Sequence, residues 1–232
     1  MSKHLQHDLL HLERQLLALA AEVEAAVRKA VSSVLRRRVD LARDVIEGDA
    51  RIDTGEVEIE EECLKILALH QPVAADLRFI TACLKINNDL ERIGDLACNI
   101  AKRAQALANV PPLAAPEPLE PMMESATRML RESLDAFVKG DAAAARHVCA
   151  EDGEVDGYNR EVIDIVHDLI RANPEIVEQG ILLFSVSKSL ERIADHATNI
   201  AEDVVYLVEG EIIRHKNVPD GGAPRNGRIS KR

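Results

Sequence analysis

Apolar residues recur at three- and four-residue intervals along almost the whole chain, which is the period of an amphipathic α-helix. Helix-breaking and turn-forming residues divide this pattern into six segments. The predicted helices run from about His4 to Arg36, Asp40 to Leu69, Gln71–Pro72 to Leu107, Leu119 to Lys139, Ala142 to Arg171 and Asn173–Pro174 to His215. The pattern therefore predicts an all-α fold.

A proline-rich stretch separates the first three predicted helices from the last three. Residues 110–121 read VPPLAAPEPLEP and hold five of the nine prolines. Proline lacks a backbone N–H and clashes within a helix interior, so we expect no helix to cross this stretch. The predicted organisation is a first bundle over 1–109, a linker over 110–121, a second bundle over 122–215 and a disordered, basic tail over 216–232.

The two halves of the chain are similar in sequence. Residues 88–104 read NDLERIGDLACNIAKRA and residues 188–204 read KSLERIADHATNIAEDV, with nine of 17 positions identical. A weaker echo relates DARID at 49–53 to DGEVD at 152–156. These matches indicate an internal duplication. The prediction is therefore two tandem, sequence-related three-helix bundles with short turns.

Charge and composition exclude several classes of function. Forty acidic residues against 29 Lys and Arg give a net charge of −11, and aromatic residues make up 2%. Such a chain lacks the basic face and the stacking rings that nucleic-acid binding needs. No apolar run approaches the ~20 residues of a membrane span, so we expect a cytoplasmic protein without direct membrane insertion. The four cysteines show no zinc or CxxC spacing and are expected to be reduced core thiols.

The most informative polar pattern is an acidic residue followed four positions later by Asp. Six such pairs occur, whereas about three are expected by chance. Four of the six form two duplicated sets, one pair from each of two helices in each half. The paired residues are Asp49/Asp53 and Glu91/Asp95 in the first half, and Asp152/Asp156 and Glu191/Asp195 in the second.

Residues four apart are neighbours on a helix, so each pair places two carboxylates together. On a helical wheel Glu91, Asp95 and Asn99 point away from the apolar face of their helix. A cation between the carboxylates would relieve their repulsion, and carboxylate oxygens bind hard cations, iron or zinc. The alternative is that these pairs are the solvated faces of acidic helices.

No arrangement of residues indicates catalysis. None of the eight histidines follows a Glu at the ExxH spacing of di-iron carboxylate bundles, and no phosphate-binding loop or nucleophile elbow occurs. His196 follows Asp195, but Leu96 is its counterpart, so a shared ligand role is not expected. A metal-dependent carboxylate-bundle enzyme and a purely structural helical protein nevertheless stay open as alternatives to a binding module.

The duplicated motifs LERIGDLACNIA at 90–101 and LERIADHATNIA at 190–201 resemble the signature of the PhoU family, as does QPVAADLR at 71–78. The resemblance extends from about residue 5 to 215. It implies metal binding through acid-xxx-Asp motifs, with iron, zinc or another divalent ion such as magnesium or manganese. Carried onto this chain, the implied ligands are Asp49, Asp53, Glu91, Asp95, Asp152, Asp156, Glu191 and Asp195.

The resemblance also implies a regulatory rather than a catalytic role. Members of the family repress the phosphate-starvation response and restrain the high-affinity phosphate ABC transporter. They are thought to bridge the transporter ATPase and a membrane sensor histidine kinase. We therefore expect a non-enzymatic adaptor, present as a homodimer, with these two proteins as partners.

Overall fold

The computed structural model describes residues 3–213 and consists of six long α-helices with one short 3₁₀ turn. The described residues contain no β-strand, and the predicted all-α fold is confirmed. The 3₁₀ turn Pro174–Ile176 leads directly into the last helix. The helices are α1 (Lys3–Leu35), α2 (Val39–His70), α3 (Ala74–Ala108), α4 (Leu119–Lys139), α5 (Ala142–Ala172) and α6 (Val177–Glu209).

The turn between α4 and α5 follows directly from its Gly-Asp sequence. Gly140 adopts the left-handed conformation at φ 60°, and its N–H bonds the carbonyls of Ala136 and Phe137. This is the usual glycine end of a helix. The Asp141 carboxylate then accepts hydrogen bonds from the N–H groups of Ala143 and Ala144 at 3.0 and 2.9 Å. Two otherwise unpaired donors at the start of α5 are thereby satisfied.

The turn between α2 and α3 is longer than the sequence predicts. Gln71 closes α2 in the left-handed conformation at φ 47°, with its N–H bonded to the carbonyl of Leu67. Val73 is extended, and α3 begins only at Ala74. Pro72 therefore precedes the helix instead of lying in its first turn, because Gln71 and Ala74 (φ 50°) are both left-handed and Val73 between them is extended.

The last helix is shorter than predicted. It ends at Glu209 because Gly210 adopts φ 72° and bonds the carbonyl of Tyr206 through its N–H. The glycine end satisfies the terminal carbonyl, so the helix does not extend towards His215. His215 and the tail over 216–232 lie outside the described residues.

Each half is a three-helix bundle, and α3 and α6 lie side by side at the centre, with α1 and α4 also in contact. The apolar stripes of all six helices form one connected core. No helix crosses residues 109–118, but α4 begins at Leu119, so the last three residues of the predicted linker over 110–121 are helical. Pro121 is tolerated there because the N–H groups of a first turn have no helical acceptor. Within 3–213, no helix is long and apolar enough to cross a membrane.

Candidate carboxylate sites

The first site lies between α2 and α3. Asp49 and Asp53 project from α2, and Glu91 and Asp95 project from α3. Partial burial raises the pKa of Asp49, and the nearby charges of Asp53 and Asp95 raise it further. The pairs on the two helices are therefore close enough to repel each other. The carboxylates of α2 and α3 therefore form one electrostatically coupled group.

Glu91 belongs to the same group of carboxylates. Its pKa is raised first by burial, then by Asp95, Glu56 and Asp53, while Arg92 opposes the shift. The Arg92 guanidinium lies 3.3 Å from the Glu91 carboxylate and 3.9 Å from that of Asp95. Glu56 is a member that sequence reasoning missed, because it lies three residues beyond Asp53 and outside the motif.

The second site repeats this arrangement between α5 and α6. Asp152 and Asp156 project from α5, and Glu191 and Asp195 project from α6. The pKa of Asp195 is raised to about 6 by burial, Glu191, Asp152 and Asp156 in that order, while His196 opposes the shift. Part of the Asp195 side chain is nevertheless open to solvent, so water screens some of this repulsion.

A hydrogen-bond donor from the third helix of each half contacts the first Asp of each site. The Thr198 hydroxyl donates to Asp152 at 3.3 Å. Cys98 occupies the equivalent place in the first half, and its thiol is a hydrogen-bond partner of Asp49 that lowers the pKa of that carboxyl. Cysteine and threonine are alike here only in that both can donate a hydrogen bond. The sequence signal that could have indicated this role is their common position in the repeat.

Cations only partly offset the acidic charge. In the second site the Lys188 ammonium donates to Glu191 at 2.5 Å. The equivalent position in the first half is Asn88, and there the cation that lowers the pKa of Asp49, in addition to the Cys98 hydrogen bond, is Lys102. The two sites therefore share their carboxylates but differ in the cations around them.

The donors at both sites suit a hard divalent cation or iron, because nearly all of them are carboxylate oxygens. Burial and Asp49 raise the pKa of the Cys98 thiol, which favours its protonated, hydrogen-bonding form beside Asp49. Within residues 3–213, no three His, Cys, Asp or Glu side chains are already positioned to hold a metal ion. Binding would require carboxylate rotation, which the partial exposure of these side chains allows.

Fold and sites together define a class of protein: two duplicated three-helix bundles, each with a carboxylate site formed by two helices. The family model described as the PhoU domain matches residues 16–104 and again residues 119–204. The chain therefore belongs to the PhoU family. The two matches correspond to the two bundles.

Individual relatives agree with this assignment. The chain is 38% identical over 215 residues to the phosphate-specific transport system accessory protein PhoU homolog of Aquifex aeolicus, covering 93% of this chain and 97% of that one. Its structure is similar to the crystal structure of PhoU from Pseudomonas aeruginosa, with a TM-score of 0.85, 36% identity, and 89% and 99% of the two chains covered. The regulatory protein PhoU from Streptococcus pneumoniae has a TM-score of 0.84 at 30% identity, with 90% and 99% covered.

Proposed function

We propose that this chain restrains high-affinity phosphate uptake and represses the phosphate-starvation response when phosphate is plentiful. The observation that supports this most strongly is the family match over both halves. Relatives at 37% and 38% identity, from Caulobacter vibrioides and Aquifex aeolicus, are named phosphate-specific transport system accessory protein PhoU homologs. The proposed partners are the ATPase of the phosphate ABC transporter and a sensor histidine kinase.

The proposed mode of action is that of a non-catalytic, cytoplasmic, homodimeric adaptor. The carboxylate sites lie on the outer faces of the bundles, where a partner can reach them, while the inner apolar stripes are used by the core. Acidic surfaces of this kind steer basic partner surfaces into contact, and salt weakens that attraction. An enzyme of the carboxylate-bundle type would instead require buried, convergent ligands.

Metal binding would connect the sites to this role. A divalent or iron ion would be held by Asp49, Asp53, Glu91 and Asp95 in the first half. A second ion would be held by Asp152, Asp156, Glu191 and Asp195 in the second half. A bound cation would reduce the local negative charge and fix two helices relative to each other. Cys98 and Thr198 would orient the first Asp of each set, as outer hydrogen-bond partners do in metal sites.

Phosphate repression in a deletion strain tests the function. We expect loss of this chain to derepress a starvation reporter in high phosphate, and the parent chain to restore repression. The double variant Glu91→Lys with Glu191→Lys should fail to restore it if these faces dock partners. The matched control is Asp164→Lys with Asp168→Lys, an equal charge reversal at an exposed acidic pair without a counterpart in the other half. Normal repression in the deletion strain would reject the proposed function.

Equilibrium dialysis of purified protein against Mn²⁺, Fe²⁺ or Zn²⁺ tests the sites separately. We expect two ions per chain in the parent and in a matched Asp164→Asn/Asp168→Asn control. The variant Asp49→Asn with Asp95→Asn should bind one ion, through loss of the first site. Unchanged binding in that variant would show that these residues are not the ligands.

A further inference from the structure

The contact between α3 and α6 joins the two halves through a pseudo-two-fold arrangement. The Lys85 ammonium donates to Asp203 at 3.0 Å, and the Arg103 guanidinium donates to Ser185 at 3.0 Å. Shifting Lys85 and Asp203 by the 100-residue offset of the repeat converts the first pair into the second. Exchanging the halves therefore maps one contact onto the other, with α3 and α6 antiparallel.

The residues at these equivalent positions are not alike. Asp89 is 7% exposed, and its carboxylate lies 2.8 Å from His196 Nδ1 and 3.3 Å from the Asn199 amide nitrogen. At the positions related to Asp89 and His196 by the repeat stand Ser189 and Leu96. The Ser189 hydroxyl donates to a carbonyl of its own helix instead of to α3. The bridge of Asp89, His196 and Asn199 thus occurs on one side of the pseudo-axis.

This difference matters when two first halves from separate copies are placed in the same geometry. Lys85 of each copy would then face Arg103 of the other, so the contact would contain two pairs of like charges. Asp89 would lose His196 and face Leu96 instead. Asn99, the counterpart of Asn199, would leave Asp89 an amide partner, but the imidazole partner would be gone. A buried carboxylate that has lost its imidazole partner and a pair of like charges both oppose association.

Two second halves placed together would be equally mismatched. Asp203, which is 1% exposed, would face Ser185 in place of Lys85, and His196 would face Ser189 in place of Asp89. Both like-half arrangements therefore lose the ion pairs that the unlike halves make.

We infer that the polar contacts between α3 and α6 select the unlike half and reject the same half of a second copy. A duplicated chain needs such selection, since like halves could otherwise link copies into dimers or open chains. The ten residues 109–118 can span about 33 Å when extended, which leaves the halves free to find wrong partners during folding. The inference is independent of metal binding and of the proposed function.

Reversing one charge tests the inference in the full chain. Lys85→Glu places a carboxylate against Asp203 within the chain but against Arg103 of a second copy. We expect this variant to begin to associate, seen as a rise in mass by light scattering, at a protein concentration roughly tenfold below that at which the parent does. Asp203→Lys added to this variant should return the mass to the parent value. The control is Lys65→Glu, which makes the same charge change at an exposed lysine of α2.

A second variant covers the case in which charge reversal prevents folding. Asp89→Ser with His196→Leu introduces the residues that the repeat has at the equivalent positions, Ser189 and Leu96, and adds no repulsive charge. We expect it to remain helical by circular dichroism and to associate more than the parent, but less than Lys85→Glu, because Lys85 still pairs with Asp203 and still repels Arg103 of a second copy. The inference is overturned if this variant keeps the mass of the parent at every concentration, or if folded Lys85→Glu does so.

Discussion

Two glycines inside α5 should each be replaceable by alanine with a gain in stability. Gly153 and Gly157 lie within the second acidic motif, and a Cβ at either position would meet no atom within 4 Å. Glycine in a helix interior is less favourable than alanine by about 1 kcal/mol, because more backbone entropy is lost on folding. The equivalent positions in α2 are Ala50 and Thr54, so the repeat itself accommodates side chains there.

We therefore expect Gly153→Ala and Gly157→Ala each to raise the free energy of unfolding by about 1 kcal/mol, and about 2 kcal/mol together. For a chain of this size, 1 kcal/mol corresponds to an increase in melting temperature of about 2–4 °C. Thermal unfolding followed by circular dichroism at 222 nm, together with urea unfolding, measures the change.

Gly180 supplies the matched control in a neighbouring helix. A Cβ at this position would lie 2.6 Å from Cδ1 and 2.9 Å from Cγ1 of Ile170, so Gly180→Ala should destabilise the protein. A loss of stability in both Gly153→Ala and Gly157→Ala would refute the reasoning, because it would mean that the α5 backbone at these positions is not free to carry side chains. Stable variants that fail to repress a phosphate-starvation reporter would instead assign the glycines a role in docking.

Three further predictions concern single positions. Asp141→Ala should lower the free energy of unfolding by about 1 kcal/mol through loss of the helix cap, whereas Asp141→Asn should retain it in the same thermal assay. Gln71→Gly should raise the melting temperature, since a non-glycine residue in the left-handed conformation costs roughly 1 kcal/mol. The folded-state pKa of Asp195, about 6, is above its ordinary 3.8, because burial and neighbouring carboxylates disfavour its ionised form. The free energy of unfolding is therefore unaffected by this group below about pH 4, where it is protonated in both states, and falls as pH rises through 6 and the folded protein must ionise it. Asp195→Asn should therefore match the parent in urea unfolding near pH 4 and exceed it above pH 6, and an NMR titration in which the Asp195 pKa is not raised would contradict this.

Helix positions and the repeat could be read from the sequence because both depend on local chemistry. Apolar spacing, the linker prolines and the Gly140–Asp141 pair each act within a few residues of chain. These local signals were weaker at helix ends, where the helical and the left-handed backbone conformations compete. The end of α6 at Gly210 was missed, because the apolar period continues past a residue whose backbone leaves the helix.

The repeated spacing on two helices of one bundle predicts that four carboxylates lie near each other, and in the structure those of each site influence one another's pKa. Whether they bind metal stays a prediction. Their membership was incomplete: Glu56 lies outside the acidic motif, and Cys98 and Thr198, although aligned in the repeat, are recognised as members only by their contact with the first Asp of each site.

The pairing of the two halves was decided by tertiary structure alone. Nothing near Asp89 in the sequence indicates that its partner is His196, 107 residues away. Local periodicity specifies which face of a helix is apolar, and here that was enough to predict two bundles. It does not specify which polar groups of two distant helices meet, because that depends on the register in which α3 packs against α6.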